Sequence, residues 1–330
     1  MYKIYLHKGD LNEATSFYLE IIKSALIRRG KTVEVTFSLN ALSAEDFVIT
    51  IQAKAFAEVW LRNRKQKIIN WYQGIVPEEA MCTFEGSISK YGRYLFWNLL
   101  EILALKKALG NIFVSDAMLV HYRHKYKYSK DNFFIMPCFN QELKLSSFSE
   151  KKYSVPSFVY AGSLSRWQCI DKTLFLYGKI KKHLPNATLT ILTKEIERAK
   201  NLCKQYGVEA VVKFIPSIEL QDELCHYKYG FIVRDDIAVN NVATPTKMNS
   251  YMAAGVIPVY SDVVADFKKV FHDLNYVISF KKIDEAIDKI LHIEKIGIDC
   301  NLMKLEYKKV FDTYYSVDNY VEPLGRFLTK

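Results

Sequence analysis

The 330-residue chain is 50% apolar, 25% charged and 14% aromatic, which excludes a disordered, collagen-like or coiled-coil protein. At roughly 150 residues per domain, this length predicts two domains, each with enough apolar residues for a buried core. Lys and Arg exceed Asp and Glu by 46 − 36 = 10, and this excess favours an anionic partner such as nucleic acid, a membrane surface or a phosphorylated substrate.

Short β-rich runs alternate with helical patterns along the whole chain. In the first half we expect strands at residues 3–6, 31–37, 47–51, 68–71 and 112–115, with helices at about 12–29 and 93–109. In the second half we expect strands at 158–160, 188–192, 211–215, 230–233 and 256–260, with helices that end near residues 183, 206 and 254. A polar, Ser-rich stretch at 140–156 ends in proline and is typical of a linker. The alternation predicts an α/β protein with two doubly wound domains and parallel sheets, in which ligands bind at the carboxyl ends of strands.

The cysteines and the apolar runs bear on metal binding and compartment. The six cysteines form no Cys-x-x-Cys pair and have no His-x-x-x-His partner, so a zinc site is not expected. Residues 1–10 contain no apolar run of signal-peptide length, and the most apolar stretch, residues 94–105, contains Glu101 and is too short to span a bilayer. These features predict a cytoplasmic protein with reduced thiols.

The segment NNVATPTKMNSYMAAGVIPVY, residues 240–260, carries helix boundary signals. Thr244 can cap a helix whose first residue is Pro245, and Gly255 follows its end. Thr246 and Lys247 then lie in the first turn, where a lysine opposes the helix dipole unless an anion binds there. We therefore expect Lys247 to bind phosphate, and a solvated lysine on an exposed turn is the alternative.

The segment FVYAGSLSRWQCID, residues 158–171, predicts a strand that enters a small polar loop. Gly162 allows a tight turn and close approach of the backbone to a ligand. Ser163 and Arg166 follow Gly162 in the same loop, and a small polar loop with one arginine can hold a diphosphate. A plain surface position is the alternative for Arg166.

Together these segments resemble the glycosyltransferase family 4-like group. AGSLSRWQCID is similar to the loop after the first strand of its donor domain, VKFIPSIELQDEL to the segment that passes the nucleotide base, and GFIVRDD with NNVATPTKMNSYMAAGVIPVYS to the motif that holds the donor diphosphate and sugar. IINWYQGIVPEE and NIFVSDAM…HYRHKYKY resemble the acceptor domains of polysaccharide-building members. The resemblance implies the GT-B architecture, with an acceptor domain at 1–148, a nucleotide-sugar domain at 149–311 facing it across a cleft, and a helix at about 312–330 that packs back on the acceptor domain.

The resemblance also implies a reaction. A sugar moves from a nucleotide-sugar, UDP- or GDP-linked, to a glycan or lipid-linked acceptor in surface polysaccharide synthesis, with retention at the anomeric carbon and without a metal or other cofactor. Nucleic acid is not an expected partner. The expected catalytic residues are Arg166, Lys247 and Glu78. The expected donor-binding residues are Gly162, Ser163, Ile215, Arg234, Thr244, Pro245, Thr246 and Ser250, and the expected acceptor-binding residues are His7, Gly9, Gln73 and Glu79.

The sequence departs from the group's pattern at several positions. Ser163, Gln168 and Cys169 stand where members carry an arginine and a Lys-Gly pair. Val242 and Ser250 stand at the two positions of the usual glutamates, and the glycine-rich acceptor loop is reduced to His-Lys-Gly-Asp at residues 7–10. A catalytically degenerate module that binds a glycan, a protein or a nucleotide is therefore the alternative function.

Several expected site residues have a structural alternative. Glu78 and Glu79 follow a strand and could orient or deprotonate an acceptor hydroxyl, but they also suit a helix start. His7 could act similarly or form only a structural hydrogen bond. Arg234 and Asp235 follow a buried strand and could line the cleft or pair with each other.

The basic, aromatic stretch HYRHKYKYSK at 121–130 and the aromatic residues at 91–97 suggest contact with a lipid surface. They predict docking on an anionic membrane, at its inner face, towards a lipid-linked acceptor. A solvated helix face is the alternative.

Overall fold

Two parallel sheets organise the computed structural model, which describes residues 1–11, 13–84 and 86–330. In this part of the chain each sheet has six strands. The first sheet contains β1 (Tyr2–Tyr5), β2 (Val33–Thr36), β3 (Phe47–Ile51), β4 (Lys67–Trp71), β5 (Gly110–Phe113) and β6 (Phe133–Ile135) in the order β2-β1-β3-β4-β5-β6. The second contains β7 (Ser157–Ala161), β8 (Thr188–Leu192), β9 (Val211–Lys213), β10 (Tyr229–Ile232), β11 (Ile257–Ser261) and β12 (Ile278–Phe280) in the order β12-β11-β10-β7-β8-β9.

Helices connect and cover the strands, as parallel strand order requires. The helices up to residue 126 are α1 (Glu13–Arg28), α2 (Gln52–Arg62), α3 (Val76–Thr83), α4 (Ser89–Lys107) and α5 (Asp116–Tyr126). Those between residues 150 and 313 are α6 (Glu150–Tyr153), α7 (Ile170–His183), α8 (Ile196–Tyr206), α9 (Ser217–Leu224), α10 (Ala238–Asn241), α11 (Thr246–Ala253), α12 (Ala265–Phe271), α13 (Ile283–Ile296) and α14 (Cys300–Thr313). The last helix is α15 (Val317–Leu328). The expected start of α1 at Asn12 lies outside the described residues.

The chain forms two compact units. The first unit consists of Met1–Asn140, Val242–Thr244 and Ser316–Lys330, and the second unit of Gln141–Asn241 and Pro245–Tyr315. In the first unit, α15 packs on α1, and the Tyr2 hydroxyl donates to the carbonyl of Leu328 at 3.0 Å. The units divide eight residues before the expected boundary at 148/149, because residues 141–148 pack with the second unit.

The expected linker at 140–156 is wrong as a description of this segment. It contains a 3-10 turn and α6, and it anchors two buried aromatic rings. The Phe148 ring lies 5.8 Å from that of Tyr307, and the Tyr153 hydroxyl donates to the carbonyl of Gly255 at 2.8 Å. These long-range contacts hold a polar, Ser-rich segment in the core, which its composition does not reveal.

Two element boundaries differ from the sequence prediction for reasons of hydrogen bonding. The expected cap of α11 by Thr244 is wrong, because the Thr244 hydroxyl donates to the carbonyl of Val114 and accepts the backbone N–H of Cys138 in the first unit. Pro245 is the N-cap instead, without a side-chain hydrogen bond. The strand expected at 112–115 ends earlier, since Ser115 caps α5 by accepting the N–H of Met118 at 2.9 Å.

Candidate functional site

A cationic cluster lies at the carboxyl edge of the second sheet, beside the turn that follows β7. Gly162 begins this turn with φ +139°, a conformation that L side chains rarely adopt. A Cβ at Gly162 would lie 2.7 Å from Lys247 Cε. Glycine at this position therefore permits both the turn and the close approach of Lys247.

Lys247 lies in the first turn of α11 and is directed at the turn after β7. Its Nζ donates to Gln168 Oε1 at 2.6 Å and lies 4.2 Å from the centre of the Tyr160 ring. The residue as a whole is half-buried. Burial and, second, the nearby Arg234 guanidinium hold the pKa of Lys247 well below its ordinary value of 10.5. The alternative of a solvated lysine therefore does not describe this side chain.

Arg234 follows β10 directly and is the second buried cation of the cluster. It is 6% exposed, its Nη1 donates to the carbonyl of Trp167 at 3.3 Å, and burial lowers the pKa of its guanidinium. The alternative of an Arg234–Asp235 pair is wrong, because Asp235 pairs with Lys172. Within the described ranges no carboxylate forms an ion pair with Arg234 or Lys247. Two adjacent basic side chains, with no carboxylate partner in the described part of the chain, create a site in which an anion is stabilised.

A cavity of about 330 Å³ opens next to this cluster, at the ends of β7, β8 and β9. Its lining includes Gly162, Ser163 and Ile215, so three of the expected donor-binding residues come together here. The Glu195 carboxylate accepts a backbone N–H of the turn at 2.6 Å, and this hydrogen bond lowers the pKa of Glu195. Phe214 also lines the cavity and is 45% exposed, which leaves aromatic surface for a planar ligand.

The remaining expected donor-side residues have varied surroundings. Arg166 is exposed on a 3-10 turn at residues 166–168. Pro245 and Thr246 are half-buried at the start of α11. Ser250 is half-buried, and its carbonyl accepts Gln221 Nε2 at 3.1 Å.

In the first unit, His7 and Gly9 follow β1. The Nε2 of His7 lies 2.8 Å from Glu58 Oε2, and its Nδ1 lies 3.1 Å from Asp10 Oδ2. Burial raises the pKa of Glu58, but hydrogen bonds from His7 and Tyr5 outweigh it, so the pKa lies below its usual 4.5. These contacts fit the structural role that was the alternative for His7. Gly9 is exposed in a 3-10 turn.

Glu78, in the first turn of α3, is held by two basic side chains from α5. Its Oε1 accepts Lys125 Nζ at 2.6 Å and lies 3.3 Å from His121 Nε2. Burial raises the pKa of Glu78, yet the hydrogen bonds from His121 and Lys125 prevail and lower it. A carboxylate in this setting is a weak proton acceptor.

Glu79 has the opposite environment. A Cβ added to Gly74 would lie 2.1 Å from Glu79 Oε1, so this carboxyl packs directly on the backbone of Gly74. Burial and, second, the adjacent Glu78 charge raise the pKa of Glu79. Gln73, the other expected residue after β4, donates from Nε2 to Thr15 Oγ1 at 3.0 Å.

A buried hydrogen-bond network surrounds Glu101 of α4. The Tyr126 hydroxyl lies 2.7 Å from Glu101 Oε2 and 2.6 Å from Asn98 Oδ1, and Asn98 Nδ2 donates to the carbonyl of Tyr94 at 2.6 Å. Because the Tyr126 hydroxyl has one hydrogen and the Asn98 amide orientation is fixed, all partners are satisfied only when Glu101 Oε2 carries a proton. Tyr122 donates to Glu101 Oε1 at 3.1 Å. Burial accordingly raises the pKa of Glu101 from 4.5 to about 7.

The stretch at 121–130 is therefore only partly the exposed basic surface expected from sequence. Tyr122 is buried, and His121 and Lys125 face Glu78, whereas Arg123 and His124 are exposed. Helical spacing places residues 121, 122, 125 and 126 against α3 and α4, and residues 123 and 124 on the exposed face.

The described residues contain neither a cluster of metal ligands nor a membrane-spanning helix. Among residues 1–11, 13–84 and 86–330, no group of three or more His, Cys, Asp and Glu side chains could hold a metal ion. No disulfide bond joins cysteines in these ranges. In the same ranges no helix combines the length and apolarity needed to cross a membrane.

Comparisons with known proteins identify the fold. No protein-family model matches this sequence, and no curated protein does. Among solved structures, sucrose-phosphate synthase from Thermosynechococcus elongatus matches with TM-score 0.70 and 12% identity over 99% of this chain and 98% of that one. WaaG, a glycosyltransferase involved in lipopolysaccharide biosynthesis, matches with TM-score 0.66 and 12% identity over 98% and 99%. TarM from S. aureus, solved with UDP, matches 86% of this chain with TM-score 0.63 and 13% identity, and this match covers 55% of the TarM chain.

The chain has the GT-B fold. Within it, the two residues before α7 explain one departure from the family 4-like pattern. Cys169 has φ 47° and ψ 48°, a left-handed conformation that glycine adopts without strain. Members of the family carry a glycine at this position. Gln168, at the family's lysine position, receives Lys247 Nζ. A lysine of α11 therefore lies beside the position where the family carries its lysine, and no local sequence signal links positions 168 and 247.

Proposed function

We propose that this GT-B protein is a glycosyltransferase of the hexosyltransferase type. It moves a sugar from a UDP- or GDP-sugar to a glycan or lipid-linked acceptor in surface polysaccharide synthesis, with retention and without a metal. This proposal rests on two adjacent basic side chains, Lys247 and Arg234, which pair with no carboxylate among the described residues. TarM was solved with UDP and a trehalose-6-phosphate protein from E. coli with UDP-2-fluoro glucose, which supports a nucleotide-sugar as the ligand.

The chemistry requires stabilisation of a leaving diphosphate. Negative charge develops on the diphosphate oxygen as its bond to the anomeric carbon breaks, and preorganised cations lower the energy of that state. Lys247, Arg234 and the free N–H groups in the first turn of α11 can supply this stabilisation. The nucleoside then occupies the 330 Å³ cavity, where Phe214 offers surface for the base.

Turnover of Lys247 variants tests the proposal. Lys247→Ala is expected to lower nucleotide release from UDP- or GDP-hexose about 100- to 1,000-fold, the usual cost of losing one transition-state donor. Because Gln168 lies at hydrogen-bond distance from Lys247, adding Gln168→Lys to this variant should restore at least about tenfold by returning a cation to the same place. Lys200→Ala, which removes an exposed partner of Glu197, is the matched control. Unchanged turnover in Lys247→Ala contradicts the proposal.

On the acceptor side, we assign proton acceptance to Glu79. Its raised pKa makes it the better base, whereas the cations around Glu78 stabilise that carboxylate in its ionised form. In this assignment Glu78 positions α5 against α3, through Lys125 and His121, and Gln73 lies on the loop that leads into α3.

Peripheral contact with an anionic membrane is the part of the proposal that concerns α4. Its exposed side chains include Tyr91, Leu95 (62% exposed), Phe96 and Leu99, with Arg93 among them. An apolar stripe flanked by cations is suited to the headgroup region of an anionic bilayer. Leu95→Ser with Phe96→Ser should abolish flotation with phosphatidylglycerol vesicles, and Phe37→Ser, at an exposed site outside α4, is the control. Equal flotation of both variants would contradict the proposed contact between α4 and an anionic membrane.

A degenerate binding module is the second candidate, because Ser250 and Val242 replace the usual glutamates and Cys169 retains left-handed strain. Thermal-shift measurements against UDP-, GDP- and ADP-sugars separate the two. A nucleotide-dependent shift supports the transferase, and its absence together with binding to a glycan or protein supports the module.

A further inference from the structure

A second and larger cavity, of about 790 Å³, lies in the second unit at the carboxyl ends of β10, β11 and β12. Its volume falls in the range of roughly 300–1,000 Å³ typical of small-molecule sites. The first turns of α7 and α13 and the end of α8 complete its wall, and Arg234 is the residue that it shares with the cationic cluster described above. It is distinct from the cavity beside Gly162.

The charges that line this second cavity cancel. The four cations are Arg234, Lys172, Lys268 and Lys281, and the four carboxylates are Asp171, Asp235, Asp236 and Asp262, so the sum is 4 − 4 = 0. The whole chain, by contrast, has a net charge of +10. A phosphate or a metal ion is therefore not favoured by the local field.

Most of these charges are already paired with each other. Lys172 pairs with Asp235, and Asp262 lies 3.2 Å from Lys268 Nζ and 4.0 Å from Lys281 Nζ. A charged ligand would have to break such pairs, whereas a hydroxyl can donate to a carboxylate and accept from an ammonium while both stay paired. The partly exposed pairs are weak enough to adjust around an inserted ligand.

Apolar and aromatic surface forms the other part of the wall. The Phe175 ring is 48% exposed and Tyr206 is 37% exposed, while Val233 and Phe280 close the interior. Exposed aromatic faces next to paired donors and acceptors match a ring that has C–H groups on its faces and hydroxyls on its edge. We propose that this second cavity binds an uncharged carbohydrate, such as a segment of a neutral glycan, at a site separate from the nucleotide site.

Saturation-transfer NMR with defined sugars tests this proposal. The probes are maltotriose, cellotriose, laminaritriose and chitotriose, with trigalacturonic acid as the charged comparison. At least one neutral trisaccharide should bind, trigalacturonic acid should bind more weakly, and saturating UDP should leave the neutral sugar bound. Because the readout needs no turnover, it can succeed when the transferase proposal fails, and the reverse also holds.

Variants assign the bound sugar to this cavity. Phe175→Ala should weaken binding about tenfold or more, whereas Phe37→Ala, which truncates an exposed ring of the first unit, should not. Asp236→Asn removes a carboxylate that accepts a hydrogen bond from Asn241 and should shift preference towards trigalacturonic acid. The proposal is overturned if no neutral sugar binds, if UDP displaces the sugar, or if both phenylalanine variants bind like the wild type.

Discussion

Glu101 offers a sensitive test of the buried network in the first unit. We consider Glu101→Gln, which is nearly isosteric with the protonated acid. The amide can donate from Nε2 to the Tyr126 oxygen and accept from Tyr122 at Oε1, so it reproduces the hydrogen bonds of neutral Glu101. The variant therefore removes the titration without removing the network.

The magnitude follows from the pKa difference. The unfolded chain releases this proton near 4.5, whereas the folded chain keeps it up to about 7. The folded state binds the proton more tightly, so the contribution to stability is complete below pH 4.5 and is lost as the pH rises through 7. At 1.36 kcal/mol per pKa unit, the loss is about 3 kcal/mol for a group that is almost fully buried.

Urea unfolding between pH 5 and 8.5 measures this effect. Trp60, Trp71 and Trp97 lie in the first unit and only Trp167 in the second, so tryptophan fluorescence reports mainly on the unit that contains Glu101. The free energy of unfolding of Glu101→Gln minus that of the wild type should rise by about 2–3 kcal/mol across this range. Other titrating groups cancel in this difference.

A control variant and one contrary result decide whether Glu101 is protonated in the folded protein. Glu20→Gln, at an exposed position of α1 that pairs with Lys23, should give no such change with pH. Parallel pH profiles for the wild type and Glu101→Gln would mean that Glu101 is ionised in the folded protein, and the proton count around Tyr126 would then be wrong.

Three other predictions concern the candidate sites. Because a bound diphosphate should raise the lowered pKa of Lys247, UDP binding should take up protons at pH values between the pKa of the free and of the bound protein. Calorimetry in buffers of different ionisation enthalpy should show this uptake, and identical heats in all buffers would mean that the diphosphate leaves the pKa of Lys247 unchanged. Cys169→Gly should be about 1 kcal/mol more stable than Cys169→Ala in urea unfolding, since both lack the thiol but only glycine relieves the left-handed strain; equal stability would mean that no strain is stored there. Glu79→Gln should reduce kcat for sugar transfer at least about tenfold more than Glu78→Gln, and the reverse order would return the base to Glu78.

Much of the fold could be predicted from local sequence because the strongest patterns are local. β8 and the end of α8 match the sequence prediction, since TLTIL is a continuous β-favouring run and α8 has a clear helical periodicity. β6 and β12 have three residues each and were not predicted, because so short a run shows no period. The buried aromatic residues of 141–156 depend on partners about 100 residues away or more.

The residues of the candidate sites also divide into those that local sequence predicts and those that depend on tertiary packing. Gly162 and Lys247 were predicted from a turn and a helix start, both of which are local signals, and the structure brings them into contact. Tyr160 and Gln168 beside the lysine, and the protonated state of Glu101, depend on residues that meet only after several elements have packed. In sequence, Glu101 is merely a charge that interrupts an apolar stretch, and its hydrogen-bond partners Tyr122 and Tyr126 both come from α5.

The packing of α15 on α1 has a consequence for biosynthesis. A ribosome that has completed β1 to β6 has not yet made residues 316–330, which cover α1 and receive the hydrogen bond from Tyr2. The second unit, in contrast, draws nearly all its residues from one continuous stretch and can be completed earlier in translation. Of the two units, the one that emerges first therefore finishes folding last, and the apolar face of α1 stays uncovered until residues 316–330 have been made.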